Sequence, residues 1–269
     1  MAEDLWQKHG ARIQNYCFMD DIFFSVCFDG NIECVQYILR IILDKQDLIV
    51  EEVHSQQSVD IFYGRSVRLD VFAKDSAGKF YDIEIQRSDE GAIPQRARYN
   101  SAMLDYHSLN KGEVYKNLPE TYVIFITEND VLKGGEQIYF IERTIQKSGK
   151  LFNDGSHIVY VNGSIRSGSS IGDLMHDFFC KNPSEMKHEP LAKCSEFFKN
   201  PDKGGNIVMS NASEELIAEG RAEGRAEGKK ENLLENIRTL MKRLHWTAEV
   251  AMDNLDIPPE KQKELAPLI

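Results

Sequence analysis

The sequence predicts an α/β fold in which helices pack against a mixed β-sheet. Residues 31–46 have apolar side chains at helical spacing behind Asn31, a suitable N-cap, so an amphipathic helix is expected there. Residues 121–130, TYVIFITEND, contain a nearly continuous apolar run of strand length, which is typical of a buried central strand. Together with the strand-like segments around them, these patterns indicate one sheet with helices against it.

The first of those segments is a β-hairpin, predicted over residues 66–88. SVRLDVFAKD and KFYDIEIQRS form its strands, and Gly78 in the connecting Ser76-Ala77-Gly78 suits the left-handed position of a three-residue loop. A second helix is expected over roughly residues 93–109, and the strand at 121–130 is expected to pair with the hairpin. The predicted core is completed by two strands and a helix, QIYFIERTI (137–145), HIVYVNGS (157–164) and IGDLMHDFFC (171–180).

Three segments are expected along the chain. Residues 1–200 form the α/β core, residues 201–230 a charged linker or marginal helix interrupted by glycine, and residues 231–269 a small helical segment. The middle segment repeats Ala-Glu-Gly-Arg, and each of its glycines would cost a helix about 1 kcal/mol relative to alanine. A spacer with a helical tail is one interpretation of residues 201–269, and self-association through a C-terminal helix is the other.

Composition excludes several classes of protein. The 269 residues include 32 Lys and Arg against 43 Asp and Glu, a net charge of −11, so any nucleic-acid site must be a local basic patch. No apolar run approaches the roughly 20 residues that span a bilayer, and the amino terminus lacks the pattern of an export signal, so we expect a cytoplasmic protein without a membrane segment. The five cysteines show no CxxC spacing, so reduced and mostly buried thiols are expected.

Acidic side chains occupy hairpin positions where a half-buried strand normally has apolar ones. If the loop closes directly around Ser76-Ala77-Gly78, Asp70 lies opposite Glu84. Alternation puts Asp82 and Gln86 on the same face as Glu84. Like charges directly across two strands are destabilising unless positive charge lies between them, and a divalent cation with oxygen ligands would supply it.

Arginines near the hairpin indicate both an alternative and a binding surface. The acids could instead form the solvent-exposed face of an edge hairpin, balanced by Arg65, Arg68 and Arg87. In the second helix Arg96 and Tyr99 are i, i+3 neighbours, so Arg96 could hold a phosphate group beside Tyr99. The alternative for these two residues is a surface arginine with a buried tyrosine.

Five segments carry a resemblance to a known family: MDDIFF, GRSVRLDV, YDIEIQR, QRARYNSAMLD and LPETYVIFI. Through them, over roughly residues 15–200, the chain resembles the PD-(D/E)XK nuclease superfamily, and more closely its transposase-like, recombination-promoting nuclease branch. The resemblance implies a restriction-endonuclease-like core. On the family's pattern Asp70 matches the first acid, Glu84 the second, and Gln86 the position more often occupied by lysine. Glu33 on the first helix is a candidate for an additional acid, with an exposed glutamate near a helix start as the alternative.

The resemblance implies Mg²⁺-dependent cleavage of DNA, with Asp70 and Glu84 as metal ligands and Mn²⁺ as a substitute for Mg²⁺. Gln86 would orient the attacking water or offer a carbonyl ligand, but it cannot supply the positive charge of lysine. A role in recombination or mobile-element biology follows from the resemblance alone. The alternatives are an inactive DNA-binding or regulatory protein of the same fold, an RNA-directed nuclease, and an interaction protein that acts through its tail. The expected DNA-binding residues are Arg68, Arg96, Arg98 and Tyr99.

Overall fold

The computed structural model of the chain describes residues 2–59, 66–109 and 112–269, with side chains for all of these except residues 2–5, 215–230 and 264. The strands are β1 (Val50–Val59), β2 (Val67–Asp75), β3 (Phe80–Gln86), β4 (Thr121–Thr127), β5 (Ile138–Ile141) and β6 (Ser156–Asn162). The helices are α1 (Ala2–Asn15), α2 (Asp21–Phe28), α3 (Ile32–Leu43), α4 (Pro94–Ser108), α5 (Ser170–Phe179), α6 (Glu189–Lys199), α7 (Gly205–Leu244), α8 (Ala248–Asn254) and α9 (Pro259–Leu265).

The strands form a mixed six-stranded sheet in the order β1-β2-β3-β4-β6-β5. β1, β2 and β3 are an antiparallel meander, whereas β3, β4 and β6 run parallel and β5 returns antiparallel beside β6. Every residue of β4 is buried, because this strand lies inside the sheet with helices on both faces. The arrangement confirms the predicted α/β fold class.

The helices pack on the two faces of this sheet. On one face α2, α3 and α5 form a core with sheet side chains such as Ile83. On the other face α4 contributes Met103 and Leu104 to a second cluster around Phe125. Successive residues of β3 face opposite layers, and the alternate residues that include Glu84 lie on the side of α4.

Several sequence predictions are confirmed by these elements. The helix expected over residues 31–46 is α3, and the Asn31 side chain caps it by accepting a hydrogen bond from the Cys34 backbone N–H at 3.1 Å. Gly78 has a φ of +79°, as the three-residue hairpin loop requires. The helix expected near residues 93–109 is α4, and β4 pairs with the hairpin strand β3. β5, β6 and α5 occupy the remaining predicted segments.

Two expectations from composition concern thiols and membranes. Four of the five free cysteines, Cys17, Cys27, Cys34 and Cys194, are buried, which confirms that most of the thiols are buried as expected. Among the described residues, no single helix combines the length and the apolar character needed to cross a membrane. α2 and α3 meet that test only when taken together, and they are bent by 112° from each other.

The chain divides into two compact units, one extending to Ser213 and the other from Glu214 to Ile269. The backbone of α7 runs through the glycine-interrupted repeat, so the boundary expected at residue 230 falls inside a helix. In the first unit, Met209 near the start of α7 is fully buried in the core that covers the sheet. In the second unit, Ile237 of α7 packs with residues of α8 and α9 in a small separate core.

Truncation is expected to separate the two units. A chain that ends at Ser213 retains Met209 and should unfold cooperatively with the stability of the intact first unit. A chain that ends at Gly204 lacks Met209, whose burial contributes on the order of 3 kcal/mol, so its free energy of unfolding should fall by about that amount. Urea titrations followed by circular dichroism measure both chains, with Met209→Ala in the longer one as the control. Aggregation or non-cooperative unfolding of the chain that ends at Ser213 would contradict this boundary.

A buried lysine anchors the segment that leads into α2. Lys199, at the end of α6, is 3% exposed. Its ammonium donates hydrogen bonds to the backbone carbonyls of Gln14 (3.3 Å), Tyr16 (2.5 Å) and Lys181. Burial lowers the pKa of Lys199 to about 8, because desolvation disfavours the charged form.

This lysine makes stability depend on alkaline pH. Folding lowers its pKa from 10.5 to about 8, so between these values the unfolded chain holds a proton that the folded chain lacks. The contribution of Lys199 to the free energy of unfolding therefore rises with pH across this window, by roughly 3 kcal/mol. Lys199→Met removes the titrating group, so the difference in unfolding free energy between wild type and variant should change in favour of the wild type between about pH 7 and about pH 10. If wild type and Lys199→Met differ in free energy of unfolding by the same amount at both pH values, the lowered pKa of Lys199 is contradicted.

Candidate active site

The hairpin of β2 and β3 has the register that its loop length predicts. Paired residues extend from the loop to Val71↔Ile83. The next position therefore places Asp70 opposite Glu84, as expected from the sequence. Backbone pairing between the two strands ends here, although both strands continue beyond this point.

Beyond the Val71↔Ile83 pair, the carboxylates of Asp70 and Glu84 take the place of backbone–backbone hydrogen bonds between β2 and β3. The Asp70 backbone N–H donates to Glu84 Oε1 at 3.3 Å, and the Ile85 N–H donates to Asp70 Oδ2 at 3.1 Å. β2 stays paired with β1 as far as Val67, and β3 stays paired with β4 as far as Gln86. The sheet thus opens between β2 and β3, and the acids occupy these positions because they satisfy backbone donors in the opening.

Glu84 is completely buried, and its charge is balanced by an arginine. Its second oxygen, Oε2, accepts a hydrogen bond from Arg96 Nη2 at 2.5 Å. Arg96 lies in the first turn of α4 and also donates through Nη1 to the Gly91 carbonyl at 3.0 Å. In this structure Arg96 therefore supplies the positive charge that two facing acids need.

A third acid, Asp82, precedes Glu84 on the same face of β3. It is fully buried, and Asn100 Nδ2 of α4 donates to Asp82 Oδ2 at 3.0 Å. Among the described residues, no N–H or O–H group bonds to Asp82 Oδ1. The Asn100 amide favours the charged form of Asp82 and so opposes the effect of burial on the Asp82 pKa.

Burial and mutual repulsion raise the pKa values of all three acids. Burial raises the pKa of Asp70, and the charge of Glu84 adds to the effect. Burial also raises the pKa of Glu84, with a further contribution from Asp82, while Arg96 lowers it. The pKa of Asp82 is raised to about 7, again chiefly by burial. Positive charge bound among these acids would favour their ionised forms, so the opening is electrostatically suited to a cation.

Two clefts open beside the acids, and we call them the acidic cleft and the arginine cleft. The acidic cleft has a volume of about 490 Å³, and its lining includes Asp20, Asp21, Asp70, Ile85, Gln86 and Arg87. The arginine cleft has a volume of about 650 Å³, and its lining includes Ser66, Glu90, Gln95, Arg98, Tyr99 and Asn100. Arg68 and Arg96 line both clefts. The four residues expected to bind DNA therefore line one cavity, which shares Arg68 and Arg96 with the cleft that Asp70 lines.

A comparison with protein-family models establishes the family. The model described as PD-(D/E)XK nuclease family transposase matches residues 24–164, which is more than half of the 269-residue chain. The chain belongs to this family. The mixed sheet with its flanking helices is accordingly a restriction-endonuclease-like core. A search of curated proteins finds no match, and a search of solved structures finds none either.

The PD-(D/E)XK core does not bring Glu33, the additional acid considered from the sequence, to the hairpin. Glu33 lies in the first turn of α3 and lines a separate cavity with Lys193. The helix acids beside the hairpin are Asp20 and Asp21 at the start of α2, and the charge of Asp21 contributes to the raised pKa of Asp70. Sequence reasoning missed both, although the MDDIFF segment contains them and was part of the resemblance.

The acids of β3 are not the solvent-exposed face of an edge hairpin. β3 is an interior strand of the sheet, and neither Asp82 nor Glu84 has exposed surface, so that alternative is wrong. Arg87 binds Asp20 (3.1 Å) and Glu128 (3.0 Å) rather than the hairpin acids. Arg65, which the same alternative invoked, lies outside the described residues.

Gln86, the position where the PD-(D/E)XK pattern more often has lysine, lines the acidic cleft. Its amide packs against Gly91, where an added Cβ would lie 2.0 Å from Gln86 Oε1. Glycine at this position therefore leaves room for the glutamine side chain. Among the described residues that line the acidic cleft, the cationic side chains are Arg68, Arg87 and Arg96, and none is a lysine.

The donor set of the opening suits a hard divalent cation. Mg²⁺ prefers oxygen ligands and usually binds through one or two carboxylates, with water and phosphate completing its shell. Asp70 and Glu84 would contribute these two carboxylates. Within residues 2–59, 66–109 and 112–269, no group of three Asp, Glu, His or Cys side chains could hold a metal ion. A cation held by Asp70 and Glu84 would have water and substrate in the rest of its shell.

Proposed function

We propose that the protein is a Mg²⁺-dependent DNA endonuclease that hydrolyses phosphodiester bonds at Asp70 and Glu84. The open hairpin carries this proposal, because it places two facing carboxylates beside a cleft lined by arginines. Membership of a nuclease family supports phosphodiester chemistry in general. The pairing of acids with an adjacent basic cavity is what such chemistry requires, since the substrate is an anion and the reaction needs a cation beside it.

Three side chains of the opening have roles in the proposed reaction. Asp70 and Glu84 would hold the cation, which supplies polarisation of the phosphate and a lower pKa for the attacking water when bound. Gln86 follows Glu84 on the same face and lines the acidic cleft, so its amide can orient that water by hydrogen bonding. The reaction is an in-line hydrolysis in which water attacks phosphorus and a deoxyribose oxygen leaves.

The arginine cleft would bind the DNA backbone. Arg68 and Arg96 line both clefts and would hold the reacting phosphate beside Asp70. Arg98 and Tyr99 line the arginine cleft but not the acidic cleft, and would contact a neighbouring phosphate. A local patch of this kind is needed because the chain has a net charge of −11.

A catalytically weak DNA-binding protein of the same fold is the second candidate. The observation that favours it is the glutamine at position 86, which cannot place a positive charge beside the acids. The proposal also includes Mn²⁺ as a substitute for Mg²⁺, a cytoplasmic location, a role in recombination, and self-association through the C-terminal helix.

End-labelled duplexes of one sequence, made as DNA, as RNA and as a DNA–RNA hybrid, test this function. Each is incubated with the purified chain in Mg²⁺, Mn²⁺, Ca²⁺ or EDTA. Internal cleavage of the DNA duplex in Mg²⁺ and Mn²⁺, with none in Ca²⁺ or EDTA, is the expected result. Cleavage confined to RNA would establish the RNA-directed alternative, and metal-independent binding of DNA without cleavage would establish the inactive one.

A further inference from the structure

The hydrogen bond from Arg96 to Glu84 is incompatible with a cation bound at the same carboxylate oxygen. Glu84 is buried, and its two oxygens are engaged by the Asp70 backbone N–H (3.3 Å) and by Arg96 Nη2 (2.5 Å). Arg96 lines both clefts whereas Glu84 lines neither, so the arginine lies between the carboxylate and the cavities. A divalent cation can therefore reach Glu84 Oε2 only if the Arg96 guanidinium leaves it.

The environment of Arg96 offers it a second position. Its side chain is 36% exposed and starts in the first turn of α4. The guanidinium also lies over the ring of the buried Phe125, 5.9 Å from its centroid, so a move toward solvent would give up the contacts with Glu84 and Phe125. Its other hydrogen bond goes to the Gly91 carbonyl (3.0 Å), a neutral acceptor in the lining of the arginine cleft. Without a carboxylate partner, the guanidinium would be left in the cleft that is lined by Arg68 and Arg98, where an anionic phosphate is its best partner.

We propose, on the basis of the function proposed above, that Arg96 is a place-holder for the divalent cation. In the metal-free protein Arg96 neutralises the buried Glu84 carboxylate. When the cation binds Glu84, the guanidinium is displaced into the arginine cleft and binds a phosphate of the DNA backbone. Arg96 is thus a positioning residue that couples metal binding to substrate binding, and by reciprocity DNA that captures Arg96 also increases the affinity for the cation.

Calorimetric titration of the full chain with Mn²⁺ alone, in the absence of DNA, tests this exchange. The proteins compared are the wild type, Arg96→Met, Arg96→Lys and, as a matched control, Arg143→Met, which makes the same change at an exposed arginine that pairs with Asp154 away from both clefts. Removal of the competing guanidinium should tighten Mn²⁺ binding by roughly tenfold in Arg96→Met, since a charged hydrogen bond no longer has to be exchanged. Arg96→Lys should have an intermediate affinity, and Arg143→Met should match the wild type.

Thermal unfolding keeps the test valid if Arg96→Met is poorly folded without metal. Loss of the only ion pair seen for Glu84 among the described residues should destabilise metal-free Arg96→Met. Mn²⁺ should then raise its melting temperature more than that of the wild type. If Mn²⁺ binds wild type and Arg96→Met equally, or binds Arg96→Met more weakly, the exchange is overturned while the proposed function stands. If none of the proteins binds Mn²⁺ alone, the exchange is overturned. If none binds it when a DNA duplex is added either, the proposed metal-dependent function is overturned as well.

Discussion

Asp70→Asn is expected to lower the rate of DNA cleavage by at least about a hundredfold, because an amide is a poor replacement for a carboxylate facing a divalent cation. The variant should nevertheless fold. Its amide oxygen can still accept the hydrogen bond that the Ile85 N–H now donates to Asp70 Oδ2 at 3.1 Å. It also removes a like charge opposite Glu84, so the free energy of unfolding in metal-free buffer should be unchanged or higher by up to about 1 kcal/mol.

Initial rates on a labelled DNA duplex and urea titrations of the same preparations measure the two effects. Asp173→Asn is the matched control, because Asp173 is an exposed carboxylate of α5 that pairs with Lys187, away from both clefts. It undergoes the same chemical change and should cleave as the wild type does. Unaltered cleavage by Asp70→Asn would remove Asp70 from the site, and lost cleavage with lost folding would point to a structural role instead.

The second large effect is expected at Gln86. Gln86→Leu has a similar size but offers no hydrogen bond, so it should reduce cleavage by roughly a hundredfold while changing DNA affinity little. Gln86→Lys places a cation beside the developing negative charge, so at saturating Mg²⁺ it should cleave as fast as the wild type or faster. It should also need more Mg²⁺, because the lysine and the metal ion repel each other.

Cleavage rates measured as a function of Mg²⁺ concentration separate these outcomes. Both variants must fit beside Gly91, whose missing Cβ makes room for the present side chain, so their melting temperatures are the control. We expect a lower plateau for Gln86→Leu and a midpoint at higher Mg²⁺ for Gln86→Lys. Three superimposed titrations would show that Gln86 has no part in catalysis.

The hairpin and its register were predictable from the sequence, because a three-residue loop with glycine in its left-handed position determines which residues face each other. The burial of Glu84 was not predictable. Charged residues on a strand normally indicate a solvent face. The partner that makes burial tolerable, Arg96, comes from α4, which begins only after the loop that follows β3. Such pairing is a property of the tertiary structure.

The positions of the helices relative to the hairpin were likewise not predictable from the sequence. α3 was predictable from its amphipathic pattern, but the sequence does not tell which helix reaches the open hairpin. Glu33 of α3 was therefore considered as the additional acid, whereas the helix acids that line the acidic cleft are Asp20 and Asp21. β1 was missed because VEEVHSQQSV has few apolar residues, as suits an edge strand whose side chains are largely exposed. Its role is nevertheless direct, since it keeps β2 in the sheet where β2 and β3 separate.

The most direct test of the central claim is the conversion of supercoiled plasmid by the wild type and Asp70→Asn, assayed side by side in Mg²⁺ and in EDTA. If Asp70 and Glu84 hold a catalytic cation, the wild type converts the plasmid to open-circular and linear forms in Mg²⁺ and leaves it intact in EDTA. Asp70→Asn at the same concentration leaves it supercoiled under both conditions. Conversion that persists in EDTA, or that Asp70→Asn performs at the rate of the wild type, would contradict a metal-dependent active site in the open hairpin.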